Sequence, residues 1–132
     1  MGNVFDIRDY PAARNTDPET SHKAEQILTF SGKRVTRQHY VLYCVARHPG
    51  KTSNDYFHLY IKQAFPLTDY AAWSSRFTEC RNADLLYNQK AKTSEFTKSA
   101  GITWHPTEKL LARLDELTEH VQRDLLERLN RK

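Results

Sequence analysis

The spacing of apolar side chains changes at Asp84-Leu85 and changes back at Thr107, and this limits the folds open to the chain. Before the first change, apolar positions recur at three and four residues, the repeat of amphipathic helices. After it, Leu85-Leu86-Tyr87 and Gly101-Ile102-Thr103-Trp104 are short β-type runs flanking Asn88–Ala100, a polar, basic stretch rich in Ser and Thr. Two strands joined by a polar loop make a hairpin. From Thr107 the helical repeat returns, with Leu110, Leu114, Leu117, Val121, Leu125 and Leu129 on one stripe. The expected fold class is therefore mainly α with a small β-hairpin, plus a long C-terminal amphipathic helix at Thr107–Lys132.

Four helices are expected before the hairpin. Asp17-Pro18-Glu19-Thr20 opens the first, with an Asp N-cap, a Pro in the first turn and an acid at the positive end of the dipole. Ala24, Ile27 and Leu28 share one face of it, and Gly32 closes it. The second starts near Thr36, carries Tyr40, Val41, Cys44 and Val45, and stops at His48-Pro49-Gly50. Thr52 or Ser53 caps the third, which has Asp55 in its first turn and Tyr56, Phe57, Tyr60, Ile61 and Ala64 as its stripe. After the short turn Phe65-Pro66-Leu67, Thr68 caps the fourth, which turns Trp73, Phe77, Cys80 and Ala83 inward. The last pair has helix-turn-helix proportions. The domain plan is an arm at 1–16, a folded unit at 17–106 and the tail at 107–132.

Several function classes are excluded on residues. The longest apolar run, Tyr40 to Ala46, is far short of the roughly 20 residues that cross a bilayer. The opening MGNVF has neither an export pattern nor a myristoylation signal, since Asp6 stands where Ser or Thr is needed, so a cytoplasmic protein with no membrane partner is expected. Cys44 and Cys80 sit in apolar surroundings and read as reduced core thiols. The six histidines have no Cys or acidic neighbours at metal-ligand spacing, and four glycines build no phosphate loop. No nucleophile elbow or HExxH occurs either. The expectation is a protein without metal, cofactor or catalytic residues.

Charge is unevenly spread within the net +4. Residues 33–63 hold Lys33, Arg34, Arg37, Arg47, Lys51 and Lys62 against Asp55 alone. Residues 85–106 add Lys90, Lys92 and Lys98 against Glu95, while the stretch from Thr107 is neutral. A basic centre permits nucleic-acid binding without requiring it. Arg34 and Arg37, just ahead of or at the start of the second helix, fit either phosphate contact or plain solvation.

Three stretches carry a resemblance. Ala13-Arg14-Asn15-Thr16-Asp17-Pro18-Glu19-Thr20-Ser21 looks like the leader of small winged-helix proteins of phage and prophage genomes. Arg76-Phe77-Thr78-Glu79-Cys80-Arg81-Asn82-Ala83-Asp84-Leu85-Leu86 is similar to the end of their recognition helix, and Thr97-Lys98-Ser99-Ala100-Gly101-Ile102-Thr103-Trp104 to their closing wing strand. Over residues 13–106 the chain thus resembles the winged helix-turn-helix family. Cys80 stands for the usual Leu, and Asp84 for the usual Gly, which asks Asp84 to take the left-handed conformation.

The resemblance implies a DNA-binding protein, such as a phage or prophage transcriptional regulator or DNA-transaction factor, acting as a homodimer on double-stranded DNA. It would place the fourth helix in the major groove with Tyr70, Ser74, Ser75 and Thr78 at base edges. Arg76, Arg81 and Lys62 would hold phosphates, and Lys90, Lys92 and Lys98 would reach the backbone from the wing. Against this, residues 68–84 carry Asp69, Glu79 and Asp84 against Arg76 and Arg81, an acidic balance for a DNA reader. That imbalance fits the alternative, a winged-helix interaction module that binds and inhibits a host protein. Trp73, Phe77 and Trp104 could stack on bases, but their spacing favours the core. The leucine stripe of the tail needs a partner surface, either a second copy, which is favoured, or the chain's own domain.

Overall fold

The computed structural model describes residues 26–30, 35–94, 98 and 100–130. The expected arm at 1–16 and the helix opened by Asp17 lie outside the described residues, apart from a last helical turn at Gln26-Ile27. The elements that follow are α1 (Arg37–Arg47), α2 (Ser53–Tyr56), a π-helical segment (Phe57–Ile61), α3 (Lys62–Ala64) and α4 (Ala71–Asn82). Then come β1 (Leu86–Thr93), β2 (Ala100–Pro106), α5 (Glu108–Leu111) and α6 (Leu114–Asn130). The molecule is mainly helical with one two-stranded antiparallel hairpin.

Helix α1 starts where its sequence places it. Thr36 Oγ1 accepts the His39 N–H at 3.1 Å, and His39 Nδ1 accepts the Thr36 N–H at 3.4 Å, a reciprocal capping box. The helix buries His39, Tyr40, Val41, Leu42, Cys44 and Val45 because it packs against α4, α6 and β2 at once. It ends at Arg47, with the His48 N–H on Cys44 O at 3.0 Å, and Gly50 beyond it takes a φ of 92°, open to glycine at little cost. The Gly50 N–H then donates to Trp104 O at 2.9 Å and the Trp104 N–H to Lys51 O at 3.1 Å. Lys51 thereby forms an antiparallel bridge to β2, a third backbone segment on the hairpin.

The third expected helix is present as α2, the π-helical segment and α3 in unbroken succession. Thr52 is its cap, accepting the Asp55 N–H at 3.2 Å. The fourth begins later than expected. Thr68 does not cap it, because its hydroxyl accepts the Trp73 Nε1–H at 2.8 Å; the Asp69 carboxylate accepts the Ala72 N–H at 3.0 Å instead. The turn before it therefore spans 65–70 rather than three residues.

Helix α4 ends as its sequence requires. Asp84 has φ 65°, with the Leu85 N–H on Cys80 O at 3.0 Å and the Asp84 N–H on Arg81 O at 2.9 Å, the two bonds of a Schellman motif. A side chain at this φ carries a steric cost of about 1 kcal/mol that glycine lacks. Asp84→Gly is expected to raise stability by roughly that amount, because the exposed Lys109–Asp84 pair it removes, at 3.7 Å, is worth little. A urea midpoint unchanged or lowered in that variant would contradict it.

The strands are longer than the sequence reading. Leu85 lies just outside β1, and pairing runs from Leu86↔Pro106 to Thr93↔Ala100, with a bulge at Lys90. Only Leu86 and Asn88 of β1 are buried, so burial gives no signal beyond Asn88; the ladder is carried by backbone bonds, which are indifferent to side-chain polarity. The distal end is tied down where buried Ser94 donates to the buried Asp55 carboxylate at 2.8 Å.

The expected continuous helix from Thr107 is broken at Ala112-Arg113. Thr107 Oγ1 donates to Asp84 O at 2.8 Å and accepts the Leu110 N–H at 3.4 Å, which seats α5. The break lets Leu110 dock beside β2 and α1 while Leu117 and Val121 lie on α1, two surfaces that one straight rod could not follow. All three side chains are 0% exposed within the chain's own core. Leu114 and Leu125 are half-buried, and Leu129 is 65% exposed. Most of the stripe expected to form a dimer seam is thus covered as the tail folds back, Leu129 excepted. Asp124, which breaks the apolar repeat, is buried against Arg128 at 2.8 Å. Among the described residues no helix is long and apolar enough to cross a membrane.

Candidate nucleic-acid interface

The residues expected to read DNA separate into exposed and internally engaged sets. Ser75 and Thr78 are exposed on α4, and Asn82 follows on the same face at helical spacing, a residue the sequence reading missed. The spacing of three and four from Ser75 could have found it. Ser74 is half-buried. Tyr70 is half-buried too, its hydroxyl 2.8 Å from Ser53 Oγ and its ring edge-on to Phe57 at 5.6 Å, so it fastens the start of α4 to α2.

Neither arginine of α4 points outward unengaged. Arg76 pairs with Glu79 at 2.9 Å, and Glu79 also accepts from Gln38 Nε2 at 2.8 Å, which turns the cluster toward α1. Arg81 donates to Asn88 Oδ1 at 2.9 Å and lies 5.9 Å from the centre of the Trp104 ring. Asn88 in turn donates to Thr103 O at 3.2 Å, so Arg81 braces the base of the hairpin. Arg76 and Arg81, expected at phosphates, are thus both engaged within the chain. Two guanidinium groups so close to Glu79 and a buried Asn are used to offset polar burial.

The lysines are the available cations. Lys62, Lys90, Lys92 and Lys98 are all exposed. Lys90 and Lys92 stand on β1, not in a loop: Lys90 is the extra residue of the bulge, and Lys92 faces Gly101 across the ladder. Lys98 takes φ 62° at the tip. A bulge twists the strand and re-aims its side chain, so the three wing lysines need not share one direction of the pleat. Because α4 passes into β1 through Ala83-Asp84-Leu85 alone, the Ser75, Thr78 and Asn82 face and the lysine-bearing strand belong to one α4–β1 unit packed together.

Trp73 is 2%, Phe77 0% and Trp104 5% exposed, which assigns these three rings to the core. Both cysteines are buried and free; burial pushes the Cys44 thiol up to about 12 and the Cys80 thiol further above the ordinary range. Among the described residues no group of three or more His, Cys, Asp and Glu could hold a metal ion. What the surface offers is a neutral row of hydroxyl and amide groups beside amines. Such groups can donate or accept toward base edges, while the amines suit phosphates. No family model matches this chain, and neither a curated protein nor a solved structure matches it.

Proposed function

We propose that this chain is a winged helix-turn-helix module that binds duplex DNA, with α4 in the major groove and the hairpin as a wing on the phosphate backbone. One observation carries the reading: the order α1, bridge residue Lys51, α2, α4, hairpin leaves an exposed Ser75, Thr78, Asn82 row immediately ahead of a strand bearing exposed lysines. Affinity in this reading comes chiefly from Lys90, Lys92 and Lys98, because α4 itself contributes no unengaged arginine. Specificity comes from the hydroxyl and amide row and is modest. The chain would act by occupying DNA, as a regulator of transcription or of another phage DNA transaction, without catalytic residues. A homodimer on a two-fold site would have to be built on Leu126 and Leu129, the exposed leucines of α6, at 59% and 65%.

Fluorescence anisotropy with a labelled duplex at 50 and 200 mM salt tests the reading. Three phosphate contacts predict an affinity loss of about 40-fold across that range, from a slope near −0.9 per phosphate. The internal engagement of Arg76 and Arg81 favours a second reading, a module that grips a host protein through the same face. Absence of duplex binding at 50 mM would discard the DNA reading in favour of that one.

A further inference from the structure

We propose that His39, packed against His120, is an acid-sensitive latch that clamps α6 and the Ile27–Phe30 segment onto α1, and that protonation of His39 lets both go. The latch joins three parts of the chain through ring contacts. His39 and His120 meet edge to face with centroids 5.2 Å apart, and Phe30 lies against each, at 5.5 Å and 5.3 Å. His39 is 4% and His120 3% exposed.

The hydrogen bonds of His39 fix its charge state. In the capping box it occupies the position usually held by Glu or Gln, and it can accept the Thr36 N–H only through an unprotonated Nδ1. Its Nε2 then carries the hydrogen and donates to Ile27 O. A second proton on His39 would remove the acceptor from the capping box, place a cation at a helix N-terminus, and set it against His120. His120 has both ring nitrogens buried with no hydrogen-bond partner. The ring of His120 therefore brings no anion to an imidazolium at His39.

The charged groups around the rings offer no relief. Arg113 lies 5.1 Å from the Phe30 ring centre and pairs with Glu116 at 2.6 Å; Asp124, one turn beyond His120, pairs with Arg128 at 2.8 Å. On α1 the nearest formal charge is Arg37, a further cation, near Trp73. The exposed Glu119 pairs with Arg123 at 3.6 Å. No ion pair reaches either imidazole among the described residues.

Burial lowers the pKa of His39 most, the bond to Ile27 O pulls it back up, and His120 lowers it again. The net shift is downward from 6.5, so the unfastened state binds the proton more readily than the docked one. Docking is therefore complete above about pH 6.5 and weakens as pH falls below it. The docking constant drops about tenfold per pH unit for each proton taken up. His48 and His105 are also held low by burial, but they flank the Lys51–Trp104 bridge, so their titration reads out in β2.

The test is an NMR titration of the full chain from pH 8 to 5, following the imidazole Cε1 signals and the backbone amides. The α6 amides should lose their docked shifts with the midpoint of His39, while α4 amides stay native. His39→Gln keeps the capping box without a titrating group and should hold α6 in place to pH 5. Docked α6 amides at pH 5 in the parent chain would overturn the latch, as would release in His39→Gln with the parent midpoint. Melting of α4 together with α6 would overturn it as well. Should His39→Gln not fold, the parent chain decides alone: coincident α6 and imidazole midpoints support the latch, and midpoints a pH unit apart end it.

Discussion

Phe77→Ala is expected to cost about 3–5 kcal/mol of folding stability, the largest effect of any single truncation considered. Phe77 is 0% exposed and meets Tyr56 at 5.8 Å and Trp104 at 5.4 Å, so one ring joins α4, α2 and β2. Its neighbours cannot close the gap. Tyr56 is held by its hydroxyl on His48 O at 2.6 Å, and Trp104 by its backbone bonds to Gly50 and Lys51. A cavity that cannot collapse keeps both its lost transfer energy and its lost contacts. Domains of this size hold only about 5–15 kcal/mol in all, so the variant should be near its unfolding threshold. A urea titration reads the change as a lowered midpoint at constant slope; a loss under about 1 kcal/mol would show that the core is not organised around this ring.

Changing Lys90, Lys92 and Lys98 together to Ala is expected to flatten the salt dependence of duplex binding by about 3 units of slope. The roughly 40-fold advantage of 50 over 200 mM salt would then largely vanish. All three side chains are exposed, and none serves a hydrogen bond or ion pair within the described residues, so stability should move by less than about 0.5 kcal/mol. Binding that weakens without a change of slope would place the phosphate contacts elsewhere. Thermal melting of the variant beside the parent chain separates loss of contact from loss of fold.

Much of the fold could be read from residues whose role is local. Thr36 caps α1, Gly50 takes the positive φ that turns the chain after it, and Asp84 takes the left-handed turn that lets α4 pass into a strand. Each of these is decided within a few residues, where sequence carries most of the information. The hairpin was legible in position but not in length, because beyond Asn88 the strand β1 buries no side chain that could mark it. The tail was legible as an apolar stripe and not as a destination. Nothing in Leu110, Leu117 and Val121 distinguishes a twin helix from α1 as the surface they cover.

The candidate interface divides the same way. Ser75 and Thr78 could be placed outward from helical spacing, and so could Asn82. Arg76 and Arg81 could be placed only in part: Glu79 and Asn88 lie close in sequence, but Gln38 joins the Arg76–Glu79 pair from 41 residues before Glu79, and the Trp104 ring beside Arg81 also comes from farther along the chain. Formal charge on a helix is a poor guide to phosphate binding when long side chains can reach inward to partners of their own.

The π-helical stretch Phe57–Ile61 has one more consequence. It holds one residue more than a regular turn would need, and the turn widens to take the surplus. Removing a single residue there would leave a regular α-turn whose four residues, at about 100° each, rotate the chain nearly as far as the five do now. The direction in which the chain reaches α4 is thereby buffered against a change of length at this point. Across a lineage, one-codon gains and losses within this turn would be taken up locally, while α4 and its surface residues kept their placing.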